Sequence, residues 1–418
     1  MDIQIAFLNG KLDCDIFMEQ PEGFVSESNP DYVCRLKKGI YGLKQSARCW
    51  NDTIDEYLKS RGYRPNGADE CVYIKTVKRS DGHIDFVIFP VYVDDIIPIS
   101  NSKTLLDEEK AAICKEYDMV DNGEISYFLG LSIKRDRKNK IITISQESYV
   151  EEILTKFGMD KCRPVGTPLE PNVKYYKTTE NDELFDVKTY QMAIGSLSYA
   201  SLCTRPDISA AVGVLSQFMS NPNHTHWTGI KRILRYLRGT SSFGLVYDGN
   251  CGTELVGYSD ADWAGDINTR RSTSGYLFQL GTSTISWSSR KQATVAKSLT
   301  EGEYVALSSA AQEVIWLHRL INGIGLNVAT PTTIYEDNQG AIDISKNPRH
   351  HNRTKHIDIA HHFVRERVAA NEVQVHYCPT GEMVADVLTK GLSIVKFRKF
   401  RDCLGVLDIH QLFVSSGS

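Results

Sequence analysis

At 418 residues, with 41% hydrophobic and 24% charged side chains, the chain has the make-up of an ordinary folded protein, which argues against disorder and against a fibrous repeat. At about 100–200 residues per domain this length predicts two or three domains. A formal net charge of −4 excludes a protein that is basic throughout, while leaving room for local basic stripes.

Along the first 165 residues short apolar strands alternate with helices. DIQIAFL reads as a strand before a turn at Asn9-Gly10, SARCWNDTIDEYLKSRG as a helix, and CVYIKTV and IDFVIFPVYVDDII as two strands joined at Asp81-Gly82, a strong hairpin signal. From 155 to 182 periodicity gives way to proline, glycine and charge, which predicts a linker. Residues 186 to 252 read as helical. Within them IKRILRYLRG carries Lys231, Arg232, Arg235 and Arg238 on one face and Ile233, Leu234 and Leu237 on the other.

From 254 the pattern changes. ELVGYSDAD, SGYLFQL and STISWSS read as three strands, the last two turning at Gly281-Thr282. SLTEGEYVALSSAAQEVIWLHRLI follows as a long helix, TTIYED as a strand, QGAIDISKN and HIDIAHHFVRERVAA as helices, VQVHYCP as a strand and EMVADVLT as a closing helix. That succession predicts an α/β layer domain with a mixed sheet.

The ten cysteines include no CxxC pair and read as free thiols in a reducing compartment, not as disulfides or zinc ligands. No run approaches about 18 apolar residues, and MDIQIAFLNG lacks the basic flank and cleavage site of a signal peptide. The expectation is an intracellular protein with no membrane partner. A second basic stretch, Lys346 to His356, holds Arg349, Arg353 and Lys355 without an acid, and both stripes fit either a solvated face or nucleic-acid phosphates. His350, His351, His356, His361 and His362 form no HxxxH pair, which favours a structural or nucleic-acid-facing role over zinc.

Two groups of acids stand out. Asp94 and Asp95 interrupt the apolar run VYVDDIIPIS; adjacent strand residues point to opposite faces, so the pair shares one site only where the chain bends. Asp260, Glu303, Asp337 and Asp386 are too far apart in sequence for local geometry to gather them. By spacing alone they are either surface acids, in a chain holding 52 Asp and Glu, or ligands that the fold converges. Converged, they would suit hard divalent cations, which take oxygen ligands and, in pairs about 3.5–4 Å apart, activate a water and stabilise the leaving oxygen of a phosphodiester.

The segments GYSDADWAGD, RRSTSGY, ISWSSRKQ, SLTEGEYVAL, YEDNQGAI, HNRTKHIDI and ADVLTKGL resemble the ribonuclease H domain of copia-type LTR retrotransposon pol polyproteins. MDIQIAFLNGKLDCDIFMEQPEGF, KKGIYGLKQSARCWN, VYVDD, YFLGLSI and SQESYVEEILTKFGM resemble the reverse transcriptase of the same family, and YQMAIGSLSYASLCTRPDI with HWTGIKRILRYLRGT the region joining the two. The resemblance covers residues 1 to 392.

It implies an α/β protein with a reverse-transcriptase palm and thumb over 1–165, a linker and connection region over 166–253, a ribonuclease H domain over 254–391 and a C-terminal tail over 392–418. Two-metal catalysis with Mg²⁺, Mn²⁺ being an alternative, is implied at Asp2, Asp94 and Asp95 for polymerisation and at Asp260, Glu303, Asp337 and Asp386 for cleavage of RNA in RNA–DNA hybrids. Phe7 would close the sugar pocket against a 2′-hydroxyl, and Gln45, which by position fits a helix cap equally well, would border the incoming nucleotide. Implied partners are an RNA template, a DNA primer, their hybrid and deoxynucleoside triphosphates, in the cytoplasm within a virus-like particle or in the nucleus. Three departures bear on the polymerase half. Asp2 follows Met1 directly, where the family has a fingers region; Pro90 and Pro98 flank VYVDDII, and each removes a ladder donor; Ala47 replaces a usual proline. Impaired polymerisation is expected, and the alternative is a catalytically silent nucleic-acid-binding remnant. An integrase-like strand transferase is disfavoured by the acid order.

Overall fold

The computed structural model describes residues 1–346 and 358–414, the side chains of 358–361 and 413–414 excepted. The chain divides into two compact units, Met1–Ile125 with His318–Asn327, and Ser126–Leu317 with Val328–Ser418.

In the first unit the strands lie in the order Arg64–Pro65, Val72–Lys78, Ile84–Tyr92, Asp95–Ile96, Asp2–Ile3, Met119–Val120. Val87 and Phe89 of the long central strand are buried against Trp50, Ile54 and Leu58. Those three recur every fourth residue along the helix Ser46–Ser60, giving it one apolar stripe. Pro98 has the effect expected of it. The strand returning from the hairpin breaks into Asp95–Ile96 and Ile99–Ser100, both of which pair with Ile84–Tyr92.

The expected strand DIQIAFL is much shorter. Only Asp2–Ile3 is extended; Ile5 takes a left-handed φ of 53°, and Ala6–Asn9 form a 3-10 helix. Packing overrides β propensity here. Ala6 is wholly buried, and a Cβ on Gly10 would stand 2.8 Å from the Trp50 backbone nitrogen, so this turn presses directly on the helix.

The second unit holds two five-stranded sheets. One joins Tyr127–Phe128, Leu131–Asp136, Ile141–Ser145, Phe243–Asp248 and Val406–Asp408 in antiparallel order. It lies by the helices Val187–Cys203, Ser209–Ser216 and His224–Arg238, in a core that includes Ile194, Leu197, Leu234 and Leu245. Two elements of this sheet depart from the sequence reading. FGLVYD, inside the stretch read as helical, is a strand, and the expected tail supplies both Val406–Asp408 and the helix Ile394–Cys403. Burial of Phe397, Phe400 and Leu404 along one helical stripe explains why that segment folds.

The other sheet runs Ser283–Lys291, Thr273–Leu280, Leu255–Asp262, Thr332–Glu336, Val373–Tyr377. The first three pair antiparallel and the last two join in parallel, which is the mixed sheet expected of this region. Tyr304, Leu307, Ala311 and Val314 form the buried stripe of the helix Leu299–Gly323. The fold of the chain is thus mixed α/β in both units.

Candidate functional site

Three of the four dispersed acids meet. Asp260 lies near the end of the strand Leu255–Asp262, Asp337 directly after the neighbouring parallel strand Thr332–Glu336, and Glu303 in the first turns of the helix Leu299–Gly323. One carboxylate oxygen from each lies within 4.8 Å of the other two. Asp260 and Glu303 are buried and Asp337 is half-buried. Among the described residues no other three acids, histidines or cysteines come so close.

The surroundings press on these charges. Burial, with the neighbouring Asp386 and Asp337, pushes Asp260 up to about 7, against the pull of the Lys390 ammonium and a hydrogen bond from Thr389. Glu303 is raised well above the usual carboxylate range by burial and by Asp260, Glu336 and Asp337. The Glu303 Oε2 atom is buried without a hydrogen-bond partner, while the Thr380 hydroxyl donates to Asp337 at 2.8 Å. Three convergent carboxylates, one with a buried and unsatisfied oxygen, fit a hard divalent cation. Asp260, Glu303 and Asp337 would hold it.

Asp386 reaches the edge of this group but is engaged otherwise. It sits wholly buried in the 3-10 helix Val384–Leu388, with the Lys390 ammonium 2.5 Å from Oδ1 and the Lys396 ammonium 2.5 Å from Oδ2. Lys390 also lies 3.6 Å from Asp260 Oδ2, so an ammonium stands between the two carboxylates. Gly275, opposite Asp260 in the sheet, lets that helix come close: a Cβ there would meet Thr389 Cγ2 at 2.7 Å and Leu388 Cβ at 2.9 Å. Lys390 is visible in ADVLTKGL, but Lys396 belongs to the segment read as a tail, and Gly275 shows no signal beyond its place in RRSTSGY. Glu336, one residue before Asp337 in YEDNQGAI, carries no signal of its own in the sequence. It is wholly buried, its Oε2 has no partner, and burial with the nearby acids raises it well above the carboxylate range.

In the first unit Asp2 pairs directly opposite Asp95, and Asp94 occupies the hairpin turn, where Val93 has a φ of 56°. The bend needed to bring Asp94 and Asp95 to one side is therefore present. Burial, Asp94 and Asp2 together raise Asp95. These three acids nevertheless do not close to the spacing seen at Asp260. Phe7 lies in the 3-10 helix Ala6–Asn9, edge-on to Tyr41 with ring centres 4.8 Å apart. Gln45 stands at the N-cap of the helix Ser46–Ser60, but its side chain makes no capping bond.

Of the basic residues, Lys231 is half-buried and three arginines bond to the preceding segment. Arg232 bonds Glu170 and Thr167, each at 3.0 Å, while Arg235 donates to the Arg163 carbonyl and Arg238 to that of Asp160. Arg349, Arg353 and Lys355 lie outside the described residues, as do His350, His351 and His356 and the side chain of His361; His362 is exposed. Among the described residues no helix is long and apolar enough to cross a membrane.

The family described as reverse transcriptase (RNA-dependent DNA polymerase) matches residues 1–171. The chain is 42% identical over 416 residues to the retrovirus-related Pol polyprotein from transposon TNT 1-94 of Nicotiana tabacum, covering 98% of this chain and 31% of that one. To the corresponding polyprotein from transposon RE2 of Arabidopsis thaliana it is 38% identical, covering 98% and 28%. It therefore spans about a third of the length of these relatives. A Ty5-1 transposon protein of Saccharomyces cerevisiae is 35% identical over 315 residues, 75% of this chain and 100% of its own length. Among solved structures, the N-terminal RNase H domain of a Mycobacterium tuberculosis protein covers 36% of this chain at 12% identity with a TM-score of 0.26; strand order, not that likeness, defines the fold here. The chain belongs to the family of copia-type retrotransposon pol polyproteins, with the reverse transcriptase domain of that family at its N-terminal end.

Proposed function

We propose that the segment around Asp260 is a nuclease that cuts the RNA strand of RNA–DNA hybrids, and that the reverse-transcriptase segment before it carries RNA-directed DNA synthesis through Asp2, Asp94 and Asp95. The observation that supports the nuclease most is the cluster of Asp260, Glu303 and Asp337 within 4.8 Å, with a buried, unpartnered Glu303 oxygen. In this reading Asp260, Glu303, Asp337 and Asp386 hold Mg²⁺, with Mn²⁺ able to replace it. Such ions, when bound, activate a water and neutralise charge on the phosphodiester being cut. Thr389 donates to Asp260 and Thr380 to Asp337, restraining both carboxylates. Lys396 holds Asp386 in place by an ion pair and itself donates to the Thr380 carbonyl at 3.0 Å.

For the polymerase segment, Phe7 would pack against the sugar of the incoming nucleotide and Gln45 would border it. Pro98, which splits the strand returning from the Asp94 hairpin, supports weaker polymerisation than cleavage. That break favours the second reading for this half, a nucleic-acid-binding remnant that retains the fold without the chemistry.

The test is cleavage of a hybrid labelled on its RNA strand, with primer extension run alongside. Wild type with Mg²⁺ is expected to cut the RNA and EDTA to stop it, while Asp337→Asn and Asp260→Asn slow cleavage by about a hundredfold or more. An intact hybrid with wild type, or Asp337→Asn cutting at the wild-type rate, would end the nuclease reading. Salt-sensitive hybrid binding without cleavage would support the remnant instead.

A further inference from the structure

We infer that the Lys390 ammonium stands at the position of a second divalent cation, between Asp260 and Asp386, and must swing out before that cation enters. The inference rests on the nuclease reading for its setting and on the two lysines for its content.

Lys390 lies 2.5 Å from Asp386 Oδ1 and 3.6 Å from Asp260 Oδ2. A divalent cation held by Asp260 and Asp386 would draw on the two carboxylates that this ammonium already contacts. Two cations cannot share the space between those carboxylates, since their repulsion is strong in a buried setting. The side chain of Lys390 is 34% exposed, so it has an open direction in which to move. Asp262, half-buried on the same strand as Asp260, is one of the charges that act on Lys390 and gives it a third carboxylate to turn toward.

Lys396 plays a different part. It bonds both Asp386 Oδ2 and the Thr380 carbonyl, so it has two anchors where Lys390 has only carboxylates. One lysine therefore anchors Asp386 and the other plugs the gap beside it. Loading is ordered in consequence. The first ion enters among Asp260, Glu303 and Asp337, and the second competes with Lys390 for Asp260 and Asp386. A substrate phosphate, bringing negative charge, would favour both the incoming ion and the outward movement of the lysine.

Mn²⁺ binding, followed by electron paramagnetic resonance and calorimetry on the whole chain without nucleic acid, tests this. Wild type is expected to bind one ion well and a second at least about tenfold more weakly. Lys390→Met should tighten the second ion about tenfold, and Lys390→Arg, which restores a cation, should behave as wild type. Should Lys390→Met melt well below wild type in metal-free buffer, Lys390→Gln takes its place. Coincident isotherms for wild type and the neutral variant, or equal tightening by Lys390→Arg, would overturn the inference. Hybrid cleavage separates the two proposals. If Lys390→Met tightens the second ion while no variant cuts RNA, the nuclease reading fails and the lysine plug stands; if RNA is cut but the isotherms coincide, the reverse holds.

Discussion

Glu336 precedes Asp337 and is wholly buried with one unpartnered oxygen, and its position has a measurable cost. Burial raises its proton affinity, so the folded chain holds this proton to higher pH than the unfolded chain does. The stability it contributes is complete below the ordinary glutamate range and is lost as pH rises toward the folded value. Glu336→Gln, which carries no proton to lose, should therefore melt close to wild type near pH 4 and above it at pH 8 in metal-free buffer. Thermal unfolding at the two pH values checks this, and a lower melting point for the variant at pH 8 would contradict it. The three acids that converge, Asp260, Glu303 and Asp337, are legible because each sits in a distinctive motif, taken in a set order. Glu336, Lys396 and Gly275 are not, because their importance comes from what the fold lays beside them: Gly275 matters only because Thr389 and Leu388 pack where its side chain would be.

At the scale of elements, the helix His224–Arg238 begins with a reciprocal cap in which the Asn223 side chain accepts from the His226 N–H and His226 Nδ1 accepts from the Asn223 N–H. Nε2 lies 2.9 Å from the Tyr176 carbonyl and must donate to it, so only a neutral ring meets both demands. Burial lowers the pKa of His226. Its contribution is thus present above the ordinary histidine range and is lost as pH falls through the lower folded value. Urea unfolding between pH 7 and pH 5 should show that loss, and His226→Ala should be weaker at pH 7 with a flatter pH dependence. Nearby, Arg205 is buried in a two-pronged pair with Asp207, at 3.0 and 2.9 Å, and Tyr236 donates to the same carboxylate at 2.5 Å. Arg205→Met would strand that carboxylate, at a cost of about 3–5 kcal/mol in urea unfolding. Hydrophobic periodicity predicted the strands of the 254–391 region and the helix Leu299–Gly323 well. It misread DIQIAFL, where contact with the helix Ser46–Ser60 outweighed strand propensity, and FGLVYD, whose six residues were absorbed into a helical neighbourhood.

At the scale of the whole chain, the segment expected as a tail is part of the fold. Phe397, Phe400 and Leu404 are buried, Val406–Asp408 completes a sheet, and Lys396 holds Asp386. Ending the chain after Gly391 should therefore abolish cooperative unfolding of the second unit as well as hybrid cleavage; a truncated chain with a wild-type melting transition would show that the tail is dispensable. The sheet that Val406–Asp408 joins takes its other strands from residues 127–145 and from Phe243–Asp248. During synthesis the edge at Phe243–Asp248 stays open until residues 406–408 leave the ribosome, about 10–30 s later at ordinary translation rates of roughly 5–20 residues per second. For that interval a half-made sheet bears an unpaired apolar edge. The nascent chain is exposed to mispairing until the strand Val406–Asp408 arrives.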